Sequence, residues 1–367
     1  MRIIHIISSF SPGGAEIQVK NLAKEFSKNN QVEVWAIAKS IDGQFEKKYM
    51  HELKQYHVKM IRFNKKYHGN RIKIIFKLRE QIKLSQPDII NTHLEYINLY
   101  TVMASLGLGI PIVHTVHNIK IQYEWIYRLF LKLFTKKFVA ISVKVGNIIQ
   151  KKLNLSPDRI RLIYNGIKLE EYQSIKRKEK EKVSQIIAIG RLVPQKDYPN
   201  LLNAYKELLF LLSRQSIEPP RLNIVGVGYL KNGLLKMAEQ LNIVSSVNFL
   251  GIRTDIPHLL ASSDLYVMAS KWEGFSISLI EALASGIPVI ATSVGSSNEM
   301  IKNNDNGVLV DSGRSDLLAK AMFKLVMNKE LRIRLSKNGF NSAKKFNINK
   351  CAEGYLKLYL DVINGKT

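Results

Sequence analysis

The sequence holds a single cysteine, Cys351, in 367 residues. An internal disulfide and a cysteine-based metal cluster are thereby excluded, and a reducing, cytoplasmic setting is expected. No window of about 18 apolar residues occurs, so no segment has the pattern of a membrane-spanning helix. The start, MRIIHIISSFSPGGAE, breaks its short apolar run at Gly13-Gly14 and does not fit a secretory leader. Acidic residues are scarce: 30 Asp and Glu stand against 55 Lys and Arg, a formal net charge of +25. The excess is uneven. Residues 1–168 hold 28 basic and 11 acidic side chains, and the remainder holds 27 and 19. Such an imbalance implies an anionic partner, whether nucleic acid, an anionic membrane or charged substrates. The Lys/Ile/Asn-rich usage also fits an AT-rich genome. No Asp-x-Asp pair is present anywhere.

What is present is an alternation of buried-strand and helix patterns. Arg2 to Ser8 is a continuous apolar run, followed by the loop Phe10 to Gly14 and a helix pattern from Ala15 to Lys28. Neither a Gly-Lys-Ser/Thr phosphate loop nor G-x-G-x-x-G follows this first strand. Further strands are predicted at 32–37, 58–63, 88–93, 111–116 and 138–142, and after residue 185 at 186–189, 222–225, 247–251, 265–269 and 307–310, with the run PVIAT from Pro288 as another. The pattern predicts two parallel sheets with helices on both faces. Leu169 to Val183, carrying IKRKEKEK, reads as the linker between the two domains. Residues 315–346 and 352–363 read as helices. Tyr123 to Phe138 reads as a helix with an aromatic-apolar face (Trp125, Ile126, Leu129, Phe130, Leu133, Phe134) and basic residues between. Such a helix suits either a membrane interface or a packed domain surface.

The chain is organised around SKWEGFSISLIEALASGIPVIATSVG, residues 270–295. Glu273 and Glu281 stand eight positions apart. A helix start capped by Ser276 or Ser278 aims the N–H groups of Phe275, Ser276, Ile277 and Ser278 at open space beside Glu273, a ready site for phosphate or polar ligand oxygens. The E-x7-E spacing alone arises by chance in any helical chain, but the flanking EGF and GIPVIAT make it less common. Arg191 and Lys196, in GRLVPQK after the strand at 186–189, can offset a diphosphate's charge. His93 and His117 both end strands and could converge at the ligand edge of their sheet. Either one equally suits a hydrogen-bonded strand end. His114, inside its strand, reads as packed.

Taken together, GGAE, the strand end at His117, Asn165-Gly166, GRLVPQK and Glu273…Glu281 resemble the retaining glycosyltransferases of the GT-B fold, in particular glycosyltransferase family 4. The resemblance implies two Rossmann-like doubly wound parallel-sheet domains facing across a cleft. The terminal helix would cross back, so that residues 1–168 plus 349–367 form an acceptor-side domain and 169–348 a nucleotide-sugar domain. It implies that the GGAE loop, with Gly14, closes over the donor, and that Arg191 and Lys196 hold the donor diphosphate. Phe275, Ser276 and Ile277 would line the donor, Glu281 would bind the ribose, and Glu273 the hydroxyls of the transferred sugar. His117 would contact that sugar or the acceptor hydroxyl. Ser276 departs from the pattern, since many relatives carry glycine there, and its hydroxyl would narrow the sugar pocket. Expected partners are a UDP- or GDP-sugar, a glycan or lipid-linked acceptor and an anionic membrane surface at the inner face of the cell membrane, with no nucleic acid.

Two rivals remain at this level. A sugar-nucleotide epimerase can share the fold, and a basic nucleic-acid-binding protein would account for the charge but not for the paired glutamates. With two cations in place of an Asp-x-Asp pair, no cofactor and no metal are expected. Sugar transfer should therefore persist undiminished in excess EDTA. Loss of transfer in EDTA, restored by Mg²⁺ or Mn²⁺, would refute this.

Overall fold

A computed structural model of the chain describes residues 1–65, 71–121, 124–175, 177 and 180–365. These fall into two compact units, Met1–Ile167 with Ile348–Thr367, and Lys168–Asn347.

The first unit is built on seven strands: β1 (Arg2–Ile7), β2 (Gln31–Ala38), β3 (Lys59–Lys65), β4 (Ile89–His93), β5 (Ile112–Val116), β6 (Thr135–Ala140) and β7 (Ile160–Leu162). They are all parallel, in the order β3-β2-β1-β4-β5-β6-β7. A parallel strand covered on both faces needs apolar residues on both, which is why RIIHII reads as a run rather than an alternation. Ile3 and Ile7 join one core with Val19, Leu22 and Phe26 of the helix Gly14–Phe26 and Tyr355 and Tyr359 of the helix Ile348–Ile363. Ile4 and Ile6 join the other, with Ile74, Leu78 and Ile82 of the helix Arg71–Ser85.

The second unit holds β8 (Gln185–Ile189), β9 (Arg221–Val225), β10 (Val247–Gly251), β11 (Leu265–Met268), β12 (Val289–Thr292) and β13 (Val308–Val310), again all parallel, in the order β10-β9-β8-β11-β12-β13. Counted from its own first strand this is the 3-2-1-4-5-6 order of dinucleotide-binding sheets. The first unit follows the same order with one strand added. In such sheets the order reverses beside the first strand, and ligands bind outside the carboxyl ends there. The reversal lies between β1 and β4 in one unit and between β8 and β11 in the other.

Several predicted boundaries move. The helix expected from Tyr123 to Phe138 is helical from Glu124 to Phe134, with a π-helical turn at Tyr127–Leu131, and yields to β6 at Thr135; Tyr123 lies outside the described residues. The wider π turn keeps residues four apart nearly in line. Tyr127 and Leu131 therefore point inward, while Trp125, Leu129 and Leu133 are 68%, 72% and 68% exposed. The supposed linker is partly structural, since Leu169, Tyr172 and Val183 are buried and Glu170–Gln173 is a short helix; residues 176, 178 and 179 of it lie outside the described residues. The helix expected over 315–346 is broken at Asn328, whose side chain caps Lys329–Ala343 by accepting from the Leu331 N–H. The last helix begins at Ile348. No described helix is long and apolar enough to cross a membrane.

Candidate functional site

In the second unit β8 and β11 are neighbours, so the segments that follow them, residues 190–196 and 269–276, leave the sheet side by side. They are laced together. The Lys271 N–H donates to the Gln195 carbonyl at 2.8 Å, and Gln195 Nε2 donates to the Trp272 carbonyl at 3.0 Å. Glu273, 3% exposed, sits at the junction. Its Oε1 receives Lys196 Nζ at 2.5 Å and Ser270 Oγ at 2.7 Å, and its Oε2 receives Gln195 Nε2 at 3.2 Å. A carboxylate buried this far is tolerable only when charge and donors surround it.

Two close approaches of backbone make the lacing possible. Gly295, with φ +54°, passes so near that a Cβ would stand 1.9 Å from the Glu273 carbonyl oxygen. After β9, a Cβ on Gly226 would come within 2.0 Å of the Gly190 carbonyl oxygen. These positions need a residue without a side chain. The G-x-G after β9 thus supports the Arg191 loop, to which it is bonded through the Leu192 N–H and the Val227 carbonyl at 2.9 Å.

Ser276 takes the N-cap position of the helix Ile277–Ala284, but its side chain makes no capping bond; its Oγ lies 3.3 Å from Ser278 Oγ. This corrects the expectation of a serine cap. The first N–H groups of the helix have no intrahelical acceptor. Phe275 and Ile277 are buried, and the Phe275 ring packs edge-on against Phe346 at 5.7 Å. Glu281, one turn in and 7% exposed, accepts from Tyr172 Oη at 2.7 Å. Burial, then the Glu281 charge, pushes the Tyr172 phenol well above its ordinary range. Tyr266 Oη reaches Ser278 Oγ at 2.9 Å, and the charges of both Glu273 and Glu281 add to the upward push that burial gives its phenol. Lys196, Glu273, Ser276, Ile277 and Glu281 are thus gathered at one sheet edge. Arg191 is exposed on the loop after β8.

In the first unit Gly14 opens the helix Gly14–Phe26 and is exposed. Glu16 belongs to the helix start: a Cβ on Gly13 would lie 2.2 Å from its Oε2. His117 is half-buried just beyond β5 and meets His93: His93 Nδ1 and His117 Nε2 are 2.8 Å apart. His93 Nε2 in turn lies 3.0 Å from Nδ1 of His5, inside β1. Burial lowers His117 to about 4 and His5 to about 3, and holds His93 well below its ordinary value, with the neighbouring histidines adding to the effect. His114 is packed, with Nδ1 2.9 Å from Thr92 Oγ1 and Nε2 3.2 Å from Tyr127 Oη. His5 was hidden in an apolar run, Tyr172 in a stretch that resembles a linker, and Ser270 and Gln195 among ordinary polar loop residues. The Leu169/Tyr172 pair, three apart, is the one signal that marked Tyr172.

Two family models cover most of the chain between them. The model of Glycosyltransferase Family 4 matches residues 12–171, and that of Glycosyl transferases group 1 matches residues 170–342. The chain is similar to a UDP-Gal:alpha-D-GlcNAc-diphosphoundecaprenol alpha-1,3-galactosyltransferase of Escherichia coli, at 29% identity over 80% of this chain and 81% of the relative. It is also similar to the GalNAc-alpha-(1->4)-GalNAc-alpha-(1->3)-diNAcBac-PP-undecaprenol alpha-1,4-N-acetyl-D-galactosaminyltransferase of Campylobacter jejuni, at 28% identity over 99% of each chain. Among solved structures, Anabaena HepE in complex with UDP-glucose matches with a TM-score of 0.84 at 21% identity, over 98% of this chain and all of that one.

Replacing Lys196 by Met strands the Glu273 carboxylate with two neutral donors, and breaking a buried pair in this way costs about 3 kcal/mol or more. Lys196→Met should lower unfolding stability by that order in denaturant titration, while Glu273→Gln, which leaves the more exposed and flexible Lys196 ammonium able to turn toward water, should cost clearly less. Equal stability for both variants would show that the pair does not hold the loops.

Proposed function

We propose that this chain, which belongs to the GT-B glycosyltransferases of group 1 and family 4, moves a hexose or N-acetylhexosamine from a UDP- or GDP-sugar to a lipid-linked glycan, with retention at the anomeric carbon. The observation that carries this is the placing of Lys196, Glu273, an uncapped helix start and Glu281 together at the strand-order reversal of the second sheet. The relatives' names add the acceptor class, since both describe undecaprenol-linked diphosphate glycans, and the HepE complex holds UDP-glucose.

In this reaction the second unit takes the donor. Arg191 and Lys196 hold the diphosphate and stabilise the charge that grows on it as it departs. An ammonium has three donors, so Lys196 can keep Glu273 and still reach a phosphate oxygen. The N–H groups at Phe275, Ser276 and Ile277 face the donor, Glu281 accepts from ribose hydroxyls, and Glu273 from hydroxyls of the transferred sugar. Gly14 lets the GGAE loop approach the donor phosphate, and His117 orients the sugar or the acceptor. Glu273 is a poor candidate for a nucleophile, because Lys196, Ser270 and Gln195 already occupy its oxygens. Retention then follows from front-side attack. The anomeric C–O bond to phosphate breaks, the bond to the acceptor oxygen forms on the same face, and the leaving phosphate takes the acceptor's proton.

The acceptor side is assigned to the first unit, at a cytoplasmic membrane face. Trp125, Leu129 and Leu133 make an exposed apolar row with Arg128 and Lys136 exposed beside them. Ile72 and Phe76 are likewise exposed on the basic helix Arg71–Ser85. Aromatic and aliphatic side chains flanked by cations suit an anionic interface.

The reaction is tested by supplying UDP- and GDP-sugars with and without an undecaprenyl-diphosphate-linked glycan. Transfer only in the presence of the acceptor is expected, and Glu273→Gln should lower turnover by about 100-fold or more with a small change in melting temperature. Epimerised donor without acceptor, or near-full activity in Glu273→Gln, would overturn the assignment. Membrane binding is tested by sedimentation with phosphatidylglycerol-rich vesicles at about 0.15 M salt. Wild type should pellet and Trp125→Ser/Leu129→Ser/Leu133→Ser should stay in the supernatant; a wild type that never pellets refutes the docking face.

A further inference from the structure

His5, His93 and His117 form one continuous chain of imidazoles. Nδ1 of His5 lies 3.0 Å from Nε2 of His93, and Nδ1 of His93 lies 2.8 Å from Nε2 of His117. Successive ring centroids are 5.3 and 5.1 Å apart. His5 and His93 are fully buried, and burial keeps all three rings uncharged near neutral pH. A neutral imidazole carries one N–H and one bare nitrogen. Two hydrogen bonds among three such rings can then be satisfied in two ways. Either every ring is protonated on Nδ1 and the bonds run from His5 to His93 to His117, or every ring is protonated on Nε2 and they run in reverse. A mixed assignment sets two lone pairs or two N–H groups face to face at one junction.

The inner end decides between them. His5 Nε2 is buried with no hydrogen-bond partner, and its ring stacks on Phe26 at 5.6 Å. The reversed arrangement strands an N–H there, whereas the forward one leaves only a lone pair. Folded proteins tolerate an unused acceptor more readily than an orphaned donor. The chain is also held under tension next door: Leu94, directly after His93, has φ +79° and ψ 146°, a conformation that costs a residue with a side chain about 1–3 kcal/mol.

We propose that His93, braced by His5, is a positioning residue that locks His117 in its Nδ1–H form, so that His117 offers the substrate a hydrogen-bond donor and not a base. His117 Nδ1 makes no hydrogen bond among the described residues, which leaves it for a sugar or acceptor oxygen. What His117 meets rests on the transfer reaction proposed above; the tautomer does not. The assignment also agrees with a departing phosphate, and not a side chain, taking the acceptor's proton.

Long-range ¹H–¹⁵N correlation spectra of the ¹⁵N-histidine-labelled protein at pH 7 read the tautomers directly, without substrate. Protonated Nδ1 and bare Nε2 on His5, His93 and His117 are expected. Nε2–H, a mixture or an imidazolium at His117 would overturn the proposal. In His93→Phe, the His117 signals should become those of mixed tautomers; a His117 that stays purely Nδ1–H would show that His93 does not set it. In the transfer assay, His117→Asn, whose amide can donate, should keep at least about 10-fold more kcat than His117→Asp, which can only accept when ionised. The reverse ranking would contradict a donor role. Because the spectra need no turnover, they decide the tautomer even if no donor sugar is used.

Discussion

An ionised carboxylate enclosed at a loop junction constrains everything around it in the second unit. Lys196 and Glu273 stand 77 positions apart in the chain, and each is fixed by the strand that precedes it. Their meeting requires β8 and β11 to be adjacent, hence the reversal of strand order. It requires glycine at 295, because a side chain would collide with the Glu273 backbone. It also requires donors on both flanks, which Ser270 and Gln195 supply. The Ser270 carbonyl is in turn held by Thr292 Oγ1 at 2.7 Å, so β12 takes part in the same arrangement. One desolvated charge therefore couples three strand ends, and a ligand that arrives there meets side chains already fixed in place.

The parallel-sheet architecture was legible because fully covered strands write continuous apolar runs, and RIIHII and PVIAT are such runs. Arg191 and Glu273 were legible as candidates because each stands beside a glycine just after a strand, Lys196 because it shares the Arg191 loop, and Glu281 because of its eight-residue spacing from Glu273. Their mutual arrangement was not, since a loop's partners depend on which strands are neighbours. Tyr172 escaped notice because a single short helix in a basic stretch has too little periodicity to register. The break at Asn328 escaped because the apolar pattern continues on both sides of it, although an asparagine followed by Lys-Glu-Leu is a helix-start signal. The segment after Tyr123 misled in another way. Its period of four was read as one amphipathic face, but the π turn buries Tyr127 and Leu131 and leaves the tryptophan and leucines outside.

The two units set different side chains on the same strand order. Beyond its β1/β4 reversal the first unit presents neutral imidazoles and a glycine-opened helix start, with its cations spread over helices and over β3, β6 and β7. The second unit places carboxylates, a lysine and an exposed arginine at the corresponding edge. A neutral edge suits hydroxyls and a charged one suits phosphates, the division of labour that the proposed transfer would use.

The uncharged histidines carry a thermodynamic corollary for the first unit. Folded, His5 and His114 take up a proton only near pH 3 and His117 only near pH 4, whereas an unfolded chain does so at about 6.5. Across that interval the unfolded form binds more protons, so acidification drains stability from this sheet progressively. The second unit contains a single histidine, His258, and its lowered groups are carboxylates such as Asp316, held at about 2 by Arg314, whose contribution is lost only at lower pH. The halves of one polypeptide thus answer differently to acid, and the imidazole-bearing half is the one expected to open as the pH falls.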